Sequence, residues 1–400
     1  MATAARAPMV VILDDEEDVE SAIRSRLPSE IRARAFTVKP SDIRGLVAKL
    51  GRRITAARKP LSAKKAEETV LDKADIFIVD YDLIQAKGDD YLTGESIAYL
   101  ARCYSNCGVI IALNQFHRRP TFDLTLRPQL DSFADINLST EDLKNPGLWT
   151  EGPWNGYRPW SWPIIPKLVG LMRRRIRDLE KVDLQTTVLD FLGFPASAIE
   201  RLPTSSLEIL GSSKSRPEKA TLRDVVRAPL IGLRGKEALH RKASHPQDGH
   251  ILAARLATWL NMVLAPQDVL VDGPHLAARC PSVLGTKTTA KTLATTVRLR
   301  PDVDLFKTKA LKPARFAKDF WYDRPVWFWT EIERNRLLPE VRDPWRSIKS
   351  DYVFCEDTSS FARLSTSKSF QSDLLSPYRT RYVKEVTNID YQPVHRLALV

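Results

Sequence analysis

Four cysteines in 400 residues are too few for a disulfide framework. Cys103, Cys107, Cys280 and Cys355 also lack the spacing of a zinc site. Cys103 and Cys107 fall four apart on an expected helix, so one apolar face would bury both. No run approaches the ~20 apolar residues that a membrane span needs. The stretch from Met1 to Pro8 lacks the apolar centre of a secretory signal. The expectation is a cytoplasmic protein with reduced thiols and no membrane partner. Catalytic motifs are scarce as well. The stretch nearest to a phosphate loop, Gly285 to Thr289, lacks the upstream glycine. No Gly-x-Ser-x-Gly elbow occurs. His240, His245 and His250 recur every five residues, which does not hold them on one helix face. These absences make a non-enzymatic role the expectation.

What is present is a folded, basic chain. Hydrophobic residues make up 43% and charged residues 28%, as in ordinary globular proteins. The length suggests two or three domains. A net charge of +12 favours nucleic acid or an acidic protein as partner. Basic residues concentrate between Arg44 and Lys73 and between Arg173 and Arg177. A solvated basic surface is the plain alternative for either cluster.

Two segments carry the most chemistry. Met9 to Leu13 is an apolar run ending in Asp14 and Asp15, and Asp75 to Val79 is another ending in Asp80. Each reads as a buried parallel strand with carboxylates at its C-terminal end. Ligands of open α/β sheets bind at that end. Asp14, Asp15 and Asp80 brought together would repel one another, so the set suggests a divalent cation with hard oxygen ligands.

These residues resemble the receiver domain of bacterial two-component response regulators, in which an acidic pair ends the first strand and a phospho-accepting Asp ends the third. The resemblance implies that Asp80 takes a phosphoryl group from the His of a partner kinase or from a small phosphodonor. It also implies magnesium, held by the Asp15 and Asp80 carboxylates and the backbone carbonyl of Asp82. A histidine kinase or related ATPase would be the partner, and the last helix of the domain could join a homodimer. The remaining elements follow the same pattern: helix 17–27, strand 33–38, helix 94–105, strand 108–114, strand 133–139 and helix 164–180. Two positions depart from it. Asn114 stands where the family has Thr or Ser, and Thr140 stands where it has Lys, with Lys144 four residues further on. An amide still donates a hydrogen bond, but Thr140 supplies no charge.

The expected architecture is α/β, a doubly wound five-stranded parallel sheet of receiver or flavodoxin-like type over 8–181. Insertions are expected at about 41–74 and 117–132. A mainly helical region, 182–300, and an aromatic-rich α+β region, 301–400, would follow. Trp149, Trp154, Trp160 and Trp162 would pack a connecting loop onto the domain body. Two functions compete. In one, the receiver-like domain controls a C-terminal effector or partner-binding region. In the other, the protein binds or processes nucleic acid, in a setting such as bacterial defence, and the receiver fold is only a scaffold.

Overall fold

Three uninterrupted apolar runs make the centre of a parallel sheet. In β1 (Val10–Leu13), β3 (Ile76–Asp80) and β4 (Val109–Asn114) every residue is buried, as strands covered on both faces require. β2 (Ala35–Val38) and β5 (Ile136–Ser139) form the edges. The order is β2-β1-β3-β4-β5 and all neighbours are parallel. The structure is a computed structural model. It describes residues 7–57, 67–81, 83, 92–114, 122–128, 132–152, 154–210, 216–230, 247–264, 269–273, 275–276, 311–334, 352–372 and 379–391.

Helices α1 (Glu17–Arg26), α2 (Ser29–Arg32), α3 (Pro40–Ala57) and α4 (Gly94–Tyr104) lie between the strands. α3 packs on α4, while α1 packs on β1 and on the turn after β5. Right-handed crossovers, the rule for parallel strands, would place α1 on the face opposite α3 and α4. The arrangement is consistent with a doubly wound α/β fold. The stretch expected as an insertion at 41–74 begins with α3, an 18-residue helix. Arg53 on it donates to Asp72 at 2.6 and 2.8 Å and to the Tyr104 carbonyl at 2.7 Å, joining α3 to the end of α4.

That end of α4 corrects one expectation. The helix stops at Tyr104, so Cys107 does not share its face. Ser105 ends it: its hydroxyl donates to the Ala101 carbonyl at 2.6 Å and accepts from Cys107 N at 3.1 Å. Both cysteines are nevertheless buried, and burial pushes the Cys107 thiol up to about 12.

After β5, Trp149, Trp160 and Trp162 are buried with their indole N–H groups paired. They fasten the connecting loop, as their apolar bulk and single donor predict. α5 (Ile165–Leu179) follows, then α6 (Val188–Leu192), α7 (Ala196–Ile199), α8 (Thr204–Glu208), α9 (Leu222–Leu230) and α10 (Asp248–Val263). Gly193 closes α6 at φ 72°, a left-handed cap that favours glycine. α10 packs on α4, α5 and α9, and one core cluster runs from β1 through α10 to Trp321 and Phe328.

The C-terminal part is α+β. β6 (Leu270–Asp272) and β7 (Val326–Phe328) pair antiparallel, and α11 (Trp329–Glu333) continues β7. β8 (Tyr352–Cys355), β9 (Ser360–Arg363), β10 (Lys368–Gln371) and β11 (Thr380–Val383) form a mixed sheet ordered β10-β11-β8-β9. Phe122 and Leu124, from the second expected insertion, pack against Phe370, Val383 and Val386 of this part. Among the described residues no helix is long and apolar enough to cross a membrane.

Candidate metal centre

Sheet register builds the site. Leu13 pairs with Val79, so the next residues, Asp14 and Asp80, emerge side by side at the C-terminal ends of β1 and β3. This pair of strands is also where the chain reverses direction across the sheet, the position at which open α/β sheets bind ligands. Carboxylate oxygens of Asp14, Asp15 and Asp80 all lie within 4.8 Å of one another. Asp14 and Asp80 are buried and Asp15 half-buried. At that separation each ionised pair repels by about 3.5 kcal/mol at an effective dielectric of about 20.

The strain shows in Asp14, whose carboxyl is pushed up to about 6. Burial is the largest cause, and the neighbouring charges of Asp15, Glu16 and Glu20 add to it. A hydrogen bond from Glu16 N to Asp14 Oδ1, 2.9 Å, opposes them only in part. Three oxygen ligands of this charge fit a hard divalent cation. The cluster could therefore hold a metal ion. Asp82, the fourth expected ligand, lies outside the described residues.

Gly94 brings α4 up to this strand end. A Cβ there would stand 2.0 Å from the Asp80 carbonyl oxygen, so only glycine permits the approach. Gly94 N donates to the Tyr81 carbonyl at 3.1 Å, and Thr93 caps the helix through Ser96 N.

β4 and β5 extend the site. Asn114 pairs with Ser139 in register, is itself buried, and Thr140 follows. The Thr140 hydroxyl is shielded from solvent and has no hydrogen-bond partner among the described residues. A cleft of about 420 Å³ runs alongside, lined by Asp18, Arg26, Asn114, Ser139, Thr140 and Glu141. Arg26 supplies the positive charge of that wall and pairs with Glu141 at 2.9 Å. Lys144 is exposed and also pairs with Glu141, at 2.7 Å. Sequence reasoning missed Arg26, because nothing local shows that the end of α1 faces the loop after β5.

The basic residues proposed for nucleic acid have other contacts. Arg173 pairs with Asp75, Arg174 stacks over Phe320 at 4.9 Å, and Arg175 is buried with a bond to the Trp321 carbonyl at 2.5 Å. Arg52 pairs with Glu67, Arg53 is bound as described above, and Arg58 lies outside the described residues. His240 and His245 also lie outside them.

A second buried charged group also escaped the sequence. Asp272 and His275 pair through Oδ1 and Nδ1, and Trp160 Nε1 donates to Asp272 Oδ2 at 2.8 Å. Arg324 Nε lies 3.4 Å from the same oxygen. Glu356 receives Arg381 Nε at 2.6 Å and lies 3.7 Å from His275 Nε2. The Asp-x-x-His spacing was a usable signal for the first pair. Glu356 follows β8 and Arg381 lies on β11, 25 residues apart in sequence, and they left none.

Comparison with protein-family models, with curated proteins and with solved structures returned no match.

Proposed function

We propose that this is a signalling protein whose first 180 or so residues act as a divergent receiver domain. In this reading the domain controls the helical and α+β parts that follow it. One observation carries the proposal: Asp14, Asp15 and Asp80 converge within 4.8 Å at the ends of β1 and β3 in a sheet ordered β2-β1-β3-β4-β5. That strand order is the flavodoxin-like one.

Magnesium is the proposed ion, held by the carboxylates of Asp15 and Asp80 with Asp14 beside them. When bound, it would neutralise charge building on phosphoryl oxygens. Asp80 offers the accepting carboxylate oxygen. The Asn114 amide at the end of β4 and the Thr140 hydroxyl just past β5 are the neutral donors proposed for a phosphoryl group. Neither carries charge, so the phosphorylated form gains less from them than from a lysine. A histidine kinase or related ATPase is the matching phosphoryl donor. The internal contacts of Arg53, Arg173 and Arg175 weigh against the nucleic-acid reading.

The test is thermal unfolding with and without magnesium, followed by incubation with acetyl phosphate and intact-mass measurement. Wild type should gain several degrees from magnesium and become slowly and partially labelled. Asp80→Asn should lose most of the gain and all of the label. Equal magnesium stabilisation of both proteins would remove the metal site, and unlabelled wild type would remove the acceptor role.

A further inference from the structure

At the opposite end of the sheet lies a cavity of about 80 Å³, closed in by the N-terminal end of β5, α5, α10 and the segment 321–324. Three guanidinium groups line it, from Arg127, Arg175 and Arg324, against two carboxylates, Asp135 and Asp323. Both carboxylates are already engaged. Asp135 receives Arg102 at 2.5 Å and Ile110 N at 2.7 Å, and Asp323 receives Arg324 at 2.8 Å. Arg324 also lies 3.4 Å from Asp272. The two lining carboxylates are thus shared mainly with Arg102 and Arg324, and Arg175 has neither as a hydrogen-bond partner.

Arg175 is less satisfied than Arg324: beyond a backbone carbonyl, it meets the Trp321 ring at 5.7 Å. It is only 4% exposed. One terminal nitrogen reaches the Trp321 carbonyl, but its Nε–H has no hydrogen-bond partner among the described residues. Burial holds its guanidinium down to about 10, which still leaves it charged at neutral pH. A buried cation with an unmet donor is costly, and an anion beside it removes the cost. Guanidinium groups match the oxygens of tetrahedral oxyanions. The volume sets the size of the guest. Eighty cubic ångströms holds a few waters or one such ion. It is far below the ~300 Å³ typical of a pocket for a nucleotide-sized ligand.

We propose that this cavity is a binding site for a single inorganic oxyanion of the phosphate class, held by Arg175 together with Arg127 and Arg324. The Asn261 side chain lines the same space and offers a neutral donor. The Tyr322 hydroxyl does not contribute its proton, since it donates to the Leu260 carbonyl at 2.7 Å. A bound ion would join β5, α5, α10 and the 321–324 segment, and so link the parallel sheet to the C-terminal part. This site is separate from the acidic cluster and independent of any phosphoryl chemistry there.

The experiment is thermal unfolding of the full chain in chloride buffer at constant ionic strength, titrated with inorganic phosphate and then with sulfate. Wild type should show a saturable rise of about 2–4 °C with either ion. Asp80→Asn should keep the rise, which separates this site from the acidic one. Arg175→Met should lose it. If that variant does not fold, Arg127→Gln should lose most of it. A rise that never saturates, or one of equal size in the arginine variants, reports general exclusion of the salt and overturns the proposal. So does the absence of any rise in wild type.

Discussion

Asp14 and Asp272 are each 1% exposed, yet their surroundings push them in opposite directions. Burial raises the carboxyl of Asp14, and acidic neighbours raise it further, to about 6. Burial also penalises ionised Asp272, but His275, Arg324 and the Trp160 indole outweigh it and hold the carboxyl well below the usual range. Loss of water therefore does not assign a role to a buried acid. The sign of its neighbours does. Asp272 is a tie between β6, the connecting loop and the segment before β7. Asp14 belongs to a group that gains from an added cation.

The largest expected effect breaks the tie. Asp272→Ala leaves Arg324, His275 and the Trp160 N–H buried beside a hole, and should cost about 3–5 kcal/mol. The midpoint of urea unfolding measures it. A loss below about 1 kcal/mol would show that the opposite charges around Asp272 do little for stability.

Gly94→Ala attacks the acidic end without touching a carboxylate. The new Cβ meets the Asp80 carbonyl at 2.0 Å, and either α4 or the strand end must move. The expected loss is about 2–3 kcal/mol, together with most of any magnesium-dependent stabilisation. Unchanged stability would mean that the helix start yields easily.

Asp14→Asn should do the reverse of Asp272→Ala and stabilise the chain when no metal is supplied. The amide keeps the acceptor for Glu16 N while removing a charge. The sign follows from the raised value. The folded protein binds the Asp14 proton more tightly than the unfolded chain does. The penalty of the ionised form therefore develops as pH rises from the ordinary 3.8 and is complete above about 6. In chelator at about pH 8 the variant should gain about 1–2 kcal/mol. The gain should shrink as pH falls through about 6 toward about 4. A gain independent of pH would place its origin elsewhere.

The legible parts of the molecule share one property. β1, β3 and β4 are continuous apolar runs because both their faces are covered, and such runs stand out from their own neighbours in sequence. α5 and α10 are long enough for helical periodicity to show. β5 is shorter than the apolar run suggested, because Phe133 N donates to Glu95 Oε1 at 2.7 Å instead of joining the ladder. α3 was obscured by its many basic residues, which lie on an amphipathic helix fastened by Arg53 to a turn and to the end of α4. For β5 a side chain from α4 decided the boundary.

The sequence by itself determined that β1, β3 and β4 are buried strands, that α5 and α10 are helices, and that Asp14, Asp15 and Asp80 stand at strand ends, since apolar runs and periodicity are local properties of the chain. Only the tertiary structure decided that Leu13 pairs with Val79 and so sets Asp14 beside Asp80. It alone brought Arg26 to the loop after β5, Glu356 to His275, and three arginines around one small cavity. Such neighbours depend on strand order, register and helix docking. Those are fixed by packing over the whole core, and no local pattern encodes them.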